Sequence, residues 1–64
     1  MKKPDFKEVT KDLKLNDIVR IELRGNYGNY IVTGSLFKLT DDCIGISEGA
    51  YHSYQRVISI KKIQ

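Results

Sequence analysis

The sequence predicts a mainly β domain: one short N-terminal helix, then five short strands that bend strongly into a small barrel. Three observations carry that reading. Apolar residues recur at helical spacing near the start and at alternating spacing afterwards. The second alternating run changes phase part-way along, around a glycine. Clusters of turn-forming residues then punctuate the chain at short intervals. One domain spans 1–64, with the helix over 5–14 and the five-stranded barrel over 17–63.

The helix is expected to start at Pro4 and Asp5, a first-turn proline and a capping acid, and to place Phe6, Val9 and Leu13 on one stripe. Lys7, Lys11 and Lys14 fall on one flank of it, Glu8 and Asp12 on the other. At about ten residues such a helix frays alone and needs a surface to dock on. After Asp17 the period becomes two: Val19, Ile21 and Leu23 point one way, Arg20, Glu22 and Arg24 the other.

The stretch GNYGNY, Gly25 to Tyr30, has the residues that tolerate positive φ, namely Gly25, Asn26, Gly28 and Asn29, and reads as a hairpin connection. A nucleic-acid loop is the alternative. In either case Tyr27 sits at the tip, as a solvated tyrosine or as a ring that stacks on a base or a partner protein. In the second run Tyr30, Val32 and Leu36 share one phase and Phe37 and Leu39 the other, with Gly34 between Val32 and Leu36. A strand whose inward side switches must bend or bulge, as strands do when they close small barrels. Thr40–Asp42 then turns the chain into the apolar strand Cys43–Ile46, and residues 47–53 form a loop. Tyr54–Val57 is expected as the fourth strand, and Ile58, Ile60 and Ile63 mark the fifth, with a sharp bend between the two.

A chain of 64 residues buries only roughly 60% of the surface it exposes when unfolded, so its core needs a supplement. Cys43 is the only cysteine, which rules out an internal disulfide and fits a reducing interior; oligomerisation is then the expected supplement. The net charge of +3 and pI near 9.1 lean mildly toward a polyanionic partner, on a surface that mixes 11 basic with 8 acidic residues. No apolar run approaches the roughly 20 residues of a membrane span, and the first residues lack the apolar core of a signal peptide. A cytoplasmic protein is expected.

The segments VRIEL, GSLFKLTDDCIGI and SYQRVISI resemble the Sm-like (LSm) family, whose fold is a small barrel of the SH3 type, and in particular its bacterial Hfq branch. The likeness runs from about Phe6 to Ile63. It implies that the last two strands pair with those of neighbouring copies, giving a homo-oligomeric ring of about five to seven subunits. It also implies that single-stranded RNA binds around a central pore, as for an RNA chaperone or regulator. The family's lysine–histidine pair falls on Gln55 and Arg56, and its base-stacking glutamine and phenylalanine fall on Asp41 and Asp42 after Thr40. Either these carboxylates weaken RNA binding at that face, or the stacking role passes to Phe37 or Tyr54.

Candidate RNA-binding residues are thus Arg56, Gln55 and Tyr54, since a guanidinium beside an aromatic ring is a common way to hold a base. Lys7 and Lys11 join them for a phosphate backbone, together with Lys2, Lys3 and Lys14, as does Tyr27 for stacking. Each has a plainer reading: solvated lysines on a helix flank or, for Lys61 and Lys62, on the tail; and for Arg56 an exposed salt bridge with Glu48. His52 and Cys43 have no companions at ligand spacing, so no metal or cofactor is expected. No catalytic constellation accompanies His52 and Ser53 either, and an enzyme is not expected. The rival function is a protein–protein interaction module on the same small barrel, without nucleic-acid binding, using exposed Ile31, Phe37 or Tyr51.

Overall fold

The computed structural model describes residues 1–47 and 49–64. One helix, α1 (Lys3–Thr10), is followed by β1 (Ile18–Gly25), β2 (Gly28–Leu39), β3 (Cys43–Ile46), β4 (Ala50–Ser53) and β5 (Val57–Lys62). The strands form one antiparallel sheet in the order β4-β3-β2-β1-β5.

The helix is shorter than the 5–14 expected and begins earlier. Pro4 stands in its first turn, where a missing N–H costs nothing. It stops at Thr10, whose hydroxyl turns back to donate to the Phe6 carbonyl at 2.7 Å, so a buried β-branched side chain closes the last turn. The inward stripe is therefore Phe6 and Thr10, four residues apart, with Leu13 packing on the core from beyond the helix. Val9, expected on that stripe, is 42% exposed.

The β1–β2 hairpin follows the expected alternation, with eight register pairs from Ile18↔Ser35 to Gly25↔Gly28. Of the four turn residues expected to tolerate positive φ only Gly28 uses it, at +125°. Asn16 also adopts positive φ, at 77°, and aims its N–H at the Leu36 carbonyl 2.7 Å away. The phase slip in β2 is present: the strand pairs with β1 up to Ser35, then with β3 from Leu36, with a register shift between Leu36 and Lys38. The irregularity thus falls on Phe37 rather than on Gly34. Tyr30, read as inward, lies half-exposed at the hairpin end, its ring against Gly25.

The largest difference lies at the C-terminal side. Residues 50–53, read as loop, form β4, and Tyr54–Arg56, read as strand, form a turn. In that turn the Arg56 N–H donates to the Ser53 carbonyl at 3.0 Å and the Val57 N–H to the Tyr54 carbonyl at 3.2 Å. These bonds satisfy backbone groups that a continuing strand would offer to a neighbour.

That turn dictates the shape of the sheet. Its outermost strands are β4 and β5, which in a flat five-stranded sheet would lie about 19 Å apart, four spacings of about 4.8 Å. The four Cα steps from Ser53 to Val57 reach at most about 14 Å even when extended, and here they are coiled into a turn. The sheet must therefore roll up until its edges approach at one end. Among the described residues no ladder joins β4 to β5, so the roll is not closed into a barrel. Inside lie Phe6, Val19, Ile21, Leu23, Leu36, Ile44, Ile46 and Val57, all buried. On the outside, buried Gly45 is roofed by the Phe37 and Tyr51 rings, 5.5 Å apart, and a Cβ there would sit 3.0 Å from Phe37 Cζ.

Urea unfolding of point variants checks this packing. Leu36→Ala should cost about 2–5 kcal/mol, whereas Val9→Ala should stay within about 0.5 kcal/mol. Equal losses at the two positions would restore the stripe read from the sequence.

Candidate nucleic-acid interface

The turn that rolls the sheet carries three of the residues singled out for RNA. Tyr54 is half-buried: its N–H donates to the Asp42 carbonyl at 3.0 Å, and its ring lies 6.2 Å from that of Phe6. The loop Thr40–Asp42 and the turn Tyr54–Arg56 are thereby brought side by side beneath the start of the helix. Gln55 is exposed, with its N–H on the Ser53 hydroxyl at 3.3 Å. Arg56 swings to β1, where its Nη2 donates to the Arg24 carbonyl at 3.2 Å, while the Arg24 N–H donates to the Arg56 carbonyl at 2.8 Å.

The carboxylates of this loop are not equivalent. Lys3 Nζ sits 2.8 Å from Asp42 Oδ1, and this hydrogen bond and charge raise the Lys3 pKa above the ordinary lysine value. Asp42 is thus partly neutralised from within the chain, and Asp41 is left exposed. A salt bridge from Arg56 to Glu48 would lie outside the described residues.

Arg56 joins a basic face that the sequence reading did not assemble. With Val19, Ile21 and Leu23 buried, Arg20, Glu22 and Arg24 point out of the roll. Across β5, Lys61 pairs in register with Arg20 and Ser59 with Glu22; across β2, Thr33, Ile31 and Asn29 stand beside the same three residues. The face therefore presents Arg20, Lys61, Arg24 and Arg56 around a single acid, Glu22. Among the described residues none of these four cations forms an ion pair. The alternation of Arg20 and Arg24 was legible; their company was not, because the pairing of β1 with β5 leaves no local trace in the sequence. Tyr27, fully exposed, lies three residues beyond Arg24 at the hairpin tip.

The other lysines lie elsewhere. Lys7 and Lys11 line a groove with Thr10, Leu13, Leu39 and Asp41 on the helix side, and Lys11 pairs with Glu8 at 2.8 Å. Lys14 lies beyond the helix, its N–H on Asp17 Oδ2, the oxygen that Lys62 approaches to 3.6 Å. The candidates thus separate into the Tyr54–Arg56 turn with its basic face, the hairpin tip, and the helix flank. His52 is buried on β4 opposite Ile44. Among the described residues no group of three or more His, Cys, Asp or Glu side chains is placed to hold a metal ion, and no helix is long and apolar enough to cross a membrane.

No protein-family model, curated protein or solved structure matches this chain. Its chemistry rests on its own residues.

The Lys3–Asp42 contact is open to direct titration. Because the folded-state pKa of Lys3 is raised, its contribution to stability is present below the ordinary lysine range and is lost as pH rises through the raised value. NMR titration of the Lys3 ammonium should show a pKa that falls back to the ordinary value in Asp42→Asn. An unchanged titration would dissociate the two groups.

Proposed function

We propose that this chain is the subunit of an Sm-like ring that binds single-stranded RNA, the edge strands β4 and β5 of adjacent copies pairing to complete a closed, barrel-like wall. One observation carries the reading: the turn that joins the two open edges is the same segment that holds Tyr54, Gln55 and Arg56. Any assembly built by pairing those edges repeats this turn at each subunit boundary, with Arg24 beside it. The repeated elements are guanidinium groups at turns, suited to phosphate oxygens and base faces.

Two further features support it. On β5, Val57 and Ile60 pack on the core, and beyond Val57, whose carbonyl accepts from the Met1 ammonium at 2.7 Å, no strand among the described residues covers the outer edge, which can serve as a template for another strand. The basic face offers Arg20, Arg24, Arg56 and Lys61, and clustered cations draw a nucleic-acid backbone with a strong salt dependence. Tyr27 adds an exposed ring at the rim of that face.

The test is fluorescence anisotropy with labelled uridine-rich and adenine-rich oligonucleotides at two salt concentrations. Binding should weaken steeply with salt, and Arg56→Ala should weaken it by about tenfold, the size of one lost guanidinium or stacking contact. Salt-insensitive or absent binding at micromolar protein would remove the RNA reading and leave an interaction module.

A further inference from the structure

A second surface lies where β1 parts from β2. On the far side of β2 from β3, β1 leaves the sheet early: register pairing ends at Ile18↔Ser35, and the last main-chain bonds join Asn16 and Asp17 to Leu36. Residues Phe37, Lys38 and Leu39 therefore have β3 as a strand neighbour on one side and, among the described residues, no strand on the other. Facing them across a gap is the connector that carries Leu13 and Leu15. The gap is a groove made of two adjoining cavities of about 330 and 340 Å³, which share Leu13 and Leu39 as walls.

The groove has leucine walls at the end of Leu15 and Phe37 and turns polar toward Lys7, Thr10, Lys11, Thr40 and Asp41. Leu36 is buried in its floor, while Leu15 and Phe37 remain 59% and 45% exposed. Lys38 lines the first cavity, its ammonium 5.7 Å from the centre of the Tyr51 ring, and Lys7, Lys11 and Asp41 line the second. Lys11 is partly satisfied by Glu8, but Lys7 forms no ion pair among the described residues.

We infer that this groove binds an extended, acidic segment of a partner protein that carries leucine-sized side chains. An extended peptide can lie beside the unpaired stretch of β2, gaining affinity from main-chain groups and specificity from alternate side chains. Its apolar side chains meet Leu13, Leu15 and Leu39, and its carboxylates meet the lysines. The observations favour a peptide over a nucleic acid at this place. The walls are aliphatic, where a base would need aromatic faces, and the single ring, Phe37, already receives Tyr51 in an edge-on contact. Asp41 stands among the lysines, where a continuous phosphate chain meets repulsion and a peptide can leave a gap. The surface is separate from the face of Arg20, Arg24 and Arg56, so the inference stands whether or not RNA binds there.

The experiment is anisotropy of a fluorescein-labelled octapeptide of alternating leucine and glutamate, titrated with the full chain, with the leucine–lysine octapeptide as counterpart. The acidic peptide should bind saturably at micromolar protein, and the basic one at least about tenfold more weakly. Leu15→Glu should weaken the acidic peptide by about tenfold or more, and Lys7→Glu should do so with a reduced salt dependence. Both positions are exposed, and unchanged circular-dichroism melting would show that the fold survives. Equal binding of the two peptides, no binding, or indifference to both substitutions would overturn the assignment. So would an oligonucleotide whose binding is lost on Leu15→Glu, because the groove would then be a nucleic-acid site.

Discussion

The short connection between β4 and β5 is the constraint on which the molecule depends. Strands at opposite ends of a five-stranded order are tied by three residues, and the sheet can satisfy that tie only by rolling up. Rolling brings Ile44 and Ile46 of β3 over Val19, Ile21 and Leu23 of β1, and it leaves one end to be stoppered by Phe6. The register shift at Leu36/Lys38 lets β2 serve both halves, and that at Glu22/Leu23 adjusts β5 as it approaches the turn. The same connection holds the roll open. Its N–H groups are spent on the Asp42 carbonyl, on Ser53 and within the turn, and β4 is only four residues long, with buried His52 on its inward side.

The chemistry of the surface follows from that geometry. Alternation along β1 sends every second side chain outward, so the strand that buries Val19, Ile21 and Leu23 also supplies Arg20 and Arg24 of the basic face. The turn adds Arg56 to them because its end lies against β1. Beside the same turn, Lys3, Asp42, Tyr54 and Phe6 fasten the helix to both loops through one ion pair and one ring contact. Charge is therefore sorted by position: cations on the outer face of β5-β1-β2, a paired acid under the helix, and lysines beside leucines in the groove where β1 parts from β2.

What the sequence disclosed was what short-range periodicity can encode. The alternation Val19, Ile21, Leu23 produced β1, the glycine-rich reversal produced the hairpin, and the change of phase in β2 announced its bulge. The missed parts have local signals that mislead. In β4 the inward residues are Ala50 and His52, which read as loop because neither is a large apolar side chain. In the following turn Tyr54 and Val57 read as strand formers, yet Tyr54 is turned toward Phe6 and the loop at Asp42. The helix ends at Thr10, whose buried hydroxyl bonds the Phe6 carbonyl, a contact that periodicity does not report. For the candidate site, Arg56 could be singled out, but its juxtaposition with Arg24 and that of Arg20 with Lys61 are products of the β1–β5 register.

A core of eight buried side chains is small, and among the described residues no strand covers the outer edges of β4 and β5, the Met1 ammonium reaching only the Val57 carbonyl at the start of β5. In the proposed assembly these edges pair between copies; an edge of one kind then meets an edge of the other, so the contact is head-to-tail, which gives a ring where the rotation closes and a filament where it does not. Native mass spectrometry across a dilution series tests this most directly. The proposed Sm-like ring predicts a discrete assembly of about five to seven copies, and a monomer at every concentration would contradict it.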